Sequence, residues 1–204
     1  MKTKGVLLSF ALVSLLASAV TAQADNYSKA LSWNCSACHG PDGVSAGPAV
    51  PSIAAMDPRY FFTVMRGFKL DERYSTIMSR IAKGYRNAEL REMGEYFAAS
   101  TWTDAGASTS QQQIEAGRAI HDDLCAECHE DEGRYQDKEI PRLAGQWPAY
   151  LLSQLIDYQN ADLRMPQPDK MKNRLTDLSL DDLQAVSSFY GRMGNDGKPS
   201  DAAR

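Results

Sequence analysis

The pentapeptides Cys35-Ser36-Ala37-Cys38-His39 and Cys125-Ala126-Glu127-Cys128-His129 hold all four cysteines of this 204-residue chain and two of its three histidines. Cys-x-x-Cys-His is the attachment signal for c-type haem. Two thiols one helical turn apart add across the two vinyl groups of one porphyrin, and the adjacent histidine is left under the iron as proximal ligand. A zinc site would have to gather four cysteines across 86 intervening residues, and a thioredoxin-like site needs βαβ elements that the pattern lacks. The motif therefore predicts two covalent haem c groups, one on Cys35 and Cys38 and one on Cys125 and Cys128, with His39 and His129 on the irons.

The pentapeptides are embedded in a longer internal repeat. At an offset of 90, Gly43 falls on Gly133, Pro51-x-Ile53-Ala54 on Pro141-x-Leu143-Ala144, and Pro58-x-Tyr60 on Pro148-x-Tyr150. The offset then becomes 93, placing Leu90 on Leu183 and Tyr96 on Phe189, so the second half holds three extra residues between Tyr150 and Leu183. Each half is expected to be one haem domain, 25–102 and 113–194, with a small-residue linker at 103–112 and a flexible tail at 195–204.

The periodicity within each half is helical, without a convincing alternating strand, so the fold class is all-α. Leu90, Met93, Gly94 and Phe97 form a stripe that Leu183, Val186, Ser187 and Tyr190 repeat, and Gly94 and Ser187 are matched small positions where another helix can cross. Helices are also expected from about Asn26 and Gln112 into the two pentapeptides, and near Pro58 to Phe68 and Pro148 to Gln159. For the aromatics Tyr60, Phe61, Phe62, Tyr150 and Tyr158, haem contact and core packing are equal readings.

Only His121 is left over, so bis-histidine ligation at both irons is impossible and methionine becomes the default distal ligand. Met78 and Met171 are the methionine pair related by the local offset, each 12 residues before the leucine that opens the last apolar stripe. Met165 would match Glu72 and has no partner, while Met65 and Met93 read as core filler. The metal ligands expected are thus His39 and Met78, and His129 and Met171. Pro51 and Pro141 are candidates to accept the other ring N–H of each histidine through their carbonyls, and simple turn prolines account for them too. His121, matching Leu31, reads as a solvated helix residue.

Lys2 and Lys4, the apolar run Gly5 to Val20 and small residues at Ala22 and Ala24 read as a secretory signal peptide over 1–24. The expected location is periplasmic, with no membrane span after cleavage. The formal charge of −4 argues against a basic face for nucleic acid.

Taken together, these elements resemble class I cytochrome c, and the tandem resembles diheme cytochromes of the c4 type. The stretches Gly47 to Pro58, Gly67-Phe68-Lys69, Ser75 to Tyr85 and Leu143-Ala144-Gly145-Gln146-Trp147 are similar to the diheme cytochrome subunit of flavocytochrome c sulfide dehydrogenase. The segment Ile53-Ala54-Ala55-Met56-Asp57-Pro58, where c4-type proteins show Leu-Ala-Gly-Gln, favours the latter family. That resemblance implies two tandem class I cytochrome c-like domains in an electron-transfer subunit. Its partner would be a flavoprotein subunit that carries FAD and oxidises sulfide, and its acceptor a carrier such as a small cytochrome c. The chain has no nucleotide-binding glycine motif and no spare cysteine pair, so it is not expected to be an enzyme by itself. A free-standing c4-type carrier to a terminal oxidase is the alternative; a haem oxidase or peroxidase would need an open iron, which the matched methionines oppose.

The halves also differ in charge. Residues 25–103 hold nine basic and eight acidic side chains, whereas 104–204 hold eleven and eighteen. Around the second pentapeptide, Asp122, Asp123, Glu127, Glu130, Asp131, Glu132, Asp137 and Glu139 are opposed within the run only by Arg134 and Lys138. This predicts an acidic face that steers a basic acceptor, or one that is merely solvated, and leaves the apolar Tyr60-Phe61-Phe62 segment to dock the flavoprotein.

Overall fold

Capping fixes where the helices of this chain begin. Helix α2 (Pro58–Lys69) starts with proline in its first turn, and the Asp57 carboxylate accepts from the Arg59 and Tyr60 amides. In α4 (Asn87–Ala98) the Glu89 carboxylate reaches back to the Arg86 amide at 2.7 Å. Ser179 and Asp182 form a reciprocal capping box at the head of α8 (Leu180–Arg192). Before these stand α1, helical over residues 27–39, and the short α3 (Met78–Ala82). Between α4 and α8 lie α5 (Gln111–Ile120), capped by Ser110, then α6 (Pro148–Gln159) and α7 (Asp169–Leu175). The computed structural model describes residues 27–106 and 108–193; the expected signal peptide and tail lie outside the described residues. No strand forms among the described residues, in agreement with the all-α reading.

Two apolar cores result. Ile53, Phe61, Met65, Ala82, Leu90, Met93 and Phe97 build one, with Leu31, Cys35 and Met78 packed against it. Ile114, Ala144, Leu151, Val186, Phe189, Tyr190 and Met193 build the other, with Cys125, Leu143 and Tyr150 against it. Both predicted stripes are buried, and Met65 and Met93 are core residues as expected. Gly94 lets α4 approach α2, where a Cβ would stand 3.0 Å from the Pro58 carbonyl oxygen. In the second half the closest crossing is instead at Gly117 of α5, whose added Cβ would meet the Ala185 carbonyl oxygen of α8 at 2.2 Å.

Helices α2 and α6 have equal lengths, and α3 and α7 both end at positions 93 apart, so the three extra residues of the second half fall between Gln159 and Met171. The repeat extends to hydrogen bonds outside the helices. The Gly43 carbonyl accepts from Ile53 and Ala54 at 2.8 and 3.1 Å, and the Gly133 carbonyl from Leu143 and Ala144 at 2.8 and 3.0 Å. Both glycines are left-handed, at φ 82° and 83°, a conformation that costs a side-chain-bearing residue about 1–2 kcal/mol.

One further pair breaks the symmetry. Gly145 takes φ 76° and gives its amide to the Tyr190 carbonyl, while the matching Ala55 takes φ 50° and gives its amide to the Phe97 carbonyl. Ala55 therefore carries the strain that Gly145 avoids. Ala55→Gly should raise stability by up to about 1 kcal/mol, as the relieved strain outweighs the lost chain stiffness. Gly145→Ala should lower it by about 1–3 kcal/mol, since its Cβ would fall 2.0 Å from an Asp104 carboxylate oxygen. Denaturant titration of the two variants checks the opposite signs.

Candidate functional site

Helix α1 carries Cys35, Cys38 and His39 on its last turns. Helix α5 runs into a π-helical turn, His121–Cys125, before Cys128 and His129. All four cysteines are free thiols; Cys35 and Cys125 are half-buried and Cys38 and Cys128 exposed. Burial, with a smaller effect from Cys38, pushes the Cys35 thiol up to about 11, and burial also raises Cys125. Desolvation holds His39 below its ordinary range and takes His129 down to about 4. Both imidazoles are therefore neutral at neutral pH, the form that binds a metal.

The two histidines differ in their supports. His39 Nδ1 donates to the Pro51 carbonyl at 2.8 Å, as the sequence led one to expect, which leaves Nε2 for a ligand. His129 Nδ1 is buried without a partner, so the expected bond to the Pro141 carbonyl is not formed. The loop that supplies Pro51 is itself held from the other half. Gln146 accepts from the Ser52 amide and donates to the Ser52 carbonyl, each at 2.9 Å. Gln136 donates to the Ala55 carbonyl at 2.7 Å and accepts from the Asp57 amide at 3.2 Å. No local pattern announced either amide.

Met78 opens α3 and Met171 lies in α7, two short helices at the same place in the repeat. Met171 is half-buried, whereas Met165 lies buried in the preceding loop. Helix α7 also grips the second pentapeptide: Arg174 donates to the Leu124 carbonyl at 2.7 Å and to Glu127 at 2.7 Å, and Lys170 binds the same carboxylate. Next to Met78, the exposed apolar side chains Ile77, Ile81 and Tyr74 line the first half. Unpaired thiols at helical spacing, neutral histidines, an orphaned buried Nδ1 and apolar side chains without cover fit thioether-linked haem.

Three expectations need correction. His121 is buried, at 3% exposure, stacked on Phe189 and hydrogen-bonded to the Tyr190 hydroxyl, and not a solvated helix residue. The Tyr60-Phe61-Phe62 segment does not form an exposed apolar face. Phe61 is in the core, Phe62 lies under the Arg91 guanidinium at 4.0 Å, and Tyr60 faces Arg73 and Tyr158 between the halves. The acidic run has more cations than its own sequence supplies, because Arg118 pairs with Glu132 and Lys170 and Arg174 with Glu127. Exposed Asp122, Asp123 and Glu130 remain outside the ion pairs recorded among the described residues.

No protein-family model matches the chain. It is 30% identical over 175 residues to cytochrome c4 of Azotobacter vinelandii, covering 76% of this chain and 82% of that one. A shorter stretch of 67 residues, 33% of this chain and 60% of the other, is 45% identical to the cytochrome subunit of sulfide dehydrogenase of Chlorobaculum tepidum. Among solved structures, reduced recombinant cytochrome c4 from Pseudomonas stutzeri superposes with a TM-score of 0.71 at 22% identity, over 80% of this chain and 97% of that one.

The register that singles out Met78 and Met171 has a direct spectroscopic check. Met171→Leu should remove half of the methionine-to-Fe(III) absorption band of the oxidised holoprotein and Met78→Leu the other half. Met165→Leu should leave the band whole; loss of the band in that variant would reverse the assignment.

Proposed function

Because this chain belongs to the cytochrome c4 family and is an electron-transfer diheme cytochrome c, we propose that it relays single electrons from a flavoprotein dehydrogenase to a separate acceptor outside the cytoplasm. The haems would be held by Cys35 and Cys38 with His39 and Met78, and by Cys125 and Cys128 with His129 and Met171. Each supplies a one-electron iron couple, which methionine ligation biases toward the reduced state. The protein does no substrate chemistry of its own in this reading. The observation that carries it is the two-fold construction: two pentapeptides, two glycine-anchored loops and two short methionine helices in one register.

The chain's residues have separable tasks. The Pro51 carbonyl orients His39, and the Gln146 and Gln136 amides hold the loop that carries it. Arg174 and Lys170 tie the methionine arm of the second half to its pentapeptide. No described helix is long and apolar enough to cross a membrane. The likeness to the sulfide dehydrogenase cytochrome subunit supports a flavoprotein donor whose substrate is sulfide. The longer match to cytochrome c4 supports the second reading, a free-standing carrier to a terminal oxidase. Purification of the native protein separates the two: a flavoprotein that co-purifies in fixed ratio and reduces both haems with sulfide supports the first, and a lone diheme chain the second.

For the acceptor side, the exposed acids Asp122, Asp123 and Glu130 support electrostatic steering of a basic carrier, which raises association rates by roughly 10 to 1,000-fold and fades with salt. Replacing all three by their amides should slow reduction of a basic small cytochrome c severalfold at low ionic strength, with flavin-to-haem transfer unchanged. A stopped-flow rate insensitive to both the substitutions and salt would leave the acidic surface with solubility alone.

A further inference from the structure

The two proximal sites occupy the same place in the repeat but differ in the side chains behind the histidines. In the first half, Phe97 of α4 belongs to the buried apolar core, and Leu31 of α1 and Cys35 pack against that core. The repeat puts His121 and Tyr190 at their places. There the His121 Nδ1 and the Tyr190 hydroxyl are 2.9 Å apart and buried. The rings meet edge to face at 5.5 Å, and Phe189 stacks on His121 at 5.1 Å. Both side chains are buried, at 3% and 4% exposure, so the hydrogen-bonded pair has no bulk water as an alternative partner.

This pair sits against the second site. The Tyr190 ring approaches the His129 ring edge-on at 6.5 Å, and its hydroxyl also reaches the Cys125 sulfur. The π-helical turn His121–Cys125 carries one member of the pair directly into the pentapeptide. Such turns distort a helix and recur at functional positions. The His129 Nδ1 lacks the carbonyl bond that His39 has, so the two imidazoles have different supports as well as different walls.

We infer that the hydrogen-bonded His121–Tyr190 pair is a positioning element that sets the reduction potential of the second haem apart from that of the first. This rests on the ligand assignment proposed above. A polar pair beside the proximal histidine would stabilise the more highly charged oxidised iron site, compared with the apolar Leu31 and Phe97 that the repeat places at these positions in the first half. The repeat thus exchanges a leucine and a phenylalanine for an imidazole and a phenol, a local means for two similar domains to hold unequal potentials.

The test gives the second half the first half's residues. Tyr190→Phe, the double variant His121→Leu with Tyr190→Phe, and the wild type are prepared as diheme holoproteins. The methionine-to-Fe(III) band and pyridine haemochrome content of the wild type are recorded first, because absence of either there would speak against the ligand assignment itself and not against the pair. With both intact, spectroelectrochemical titration should show the second haem's midpoint potential raised in Tyr190→Phe and further in the double variant, while the first haem's stays in place. The haem methyl proton shifts of the second haem alone should move in step. Unchanged midpoint potentials, or equal movement of both haems, would overturn the inference, and lowered thermal stability with unmoved potentials would reduce the pair to packing.

Discussion

The arrangement depends on a loop of the first half being held by amides of the second. Gln146 closes two hydrogen bonds on Ser52, one residue beyond the carbonyl that accepts from His39. Gln146 is 4% exposed, so neither of its groups has bulk water as an alternative partner, and losing one would strand a buried polar atom at about 1–3 kcal/mol. Gln136 repeats the pattern three residues later in the loop, at Ala55 and Asp57. The orientation of one histidine is thus a property of the joined halves, and the separate cores do not amount to separate sites.

The seam between the halves shows the same economy in another form. Trp147 donates to the Ser45 carbonyl, Arg73 to Gln154, and the Tyr74 amide to the Arg164 carbonyl. Tyr60 and Tyr150, equivalent by the repeat, both come to Arg73, whose guanidinium is flanked by the Phe68 and Tyr158 rings. Tyr60 and Tyr150 thus meet at the seam, and Tyr150 packs against the second core as well.

Much of the construction was legible in the sequence because it is local. Thiol and histidine spacing, the paired prolines and glycines, and the two apolar stripes each sit within a dozen residues, and repetition doubles every signal. The helices α3 and α7 were not assigned, since five and seven residues are too few for a period to register. The burial of His121 was missed because its partner Tyr190 is 69 residues away. The same distance problem hid Arg118, Lys170 and Arg174 from the acidic run, and Gln146 from Ser52, 94 residues earlier. Long-range polar pairs leave no periodic trace in a chain.

The carbonyls of Gly43 and Gly133 accept two amides each from segments that belong to no helix or strand. A connection bound this way has little freedom to drift. For an electron carrier this stiffness bears on rate: the fewer surrounding dipoles that must reorient when an iron changes its charge, the smaller the nuclear rearrangement that accompanies each transfer. The left-handed glycines, at first sight only turn chemistry, are what tie these loops back to the chain that follows each pentapeptide.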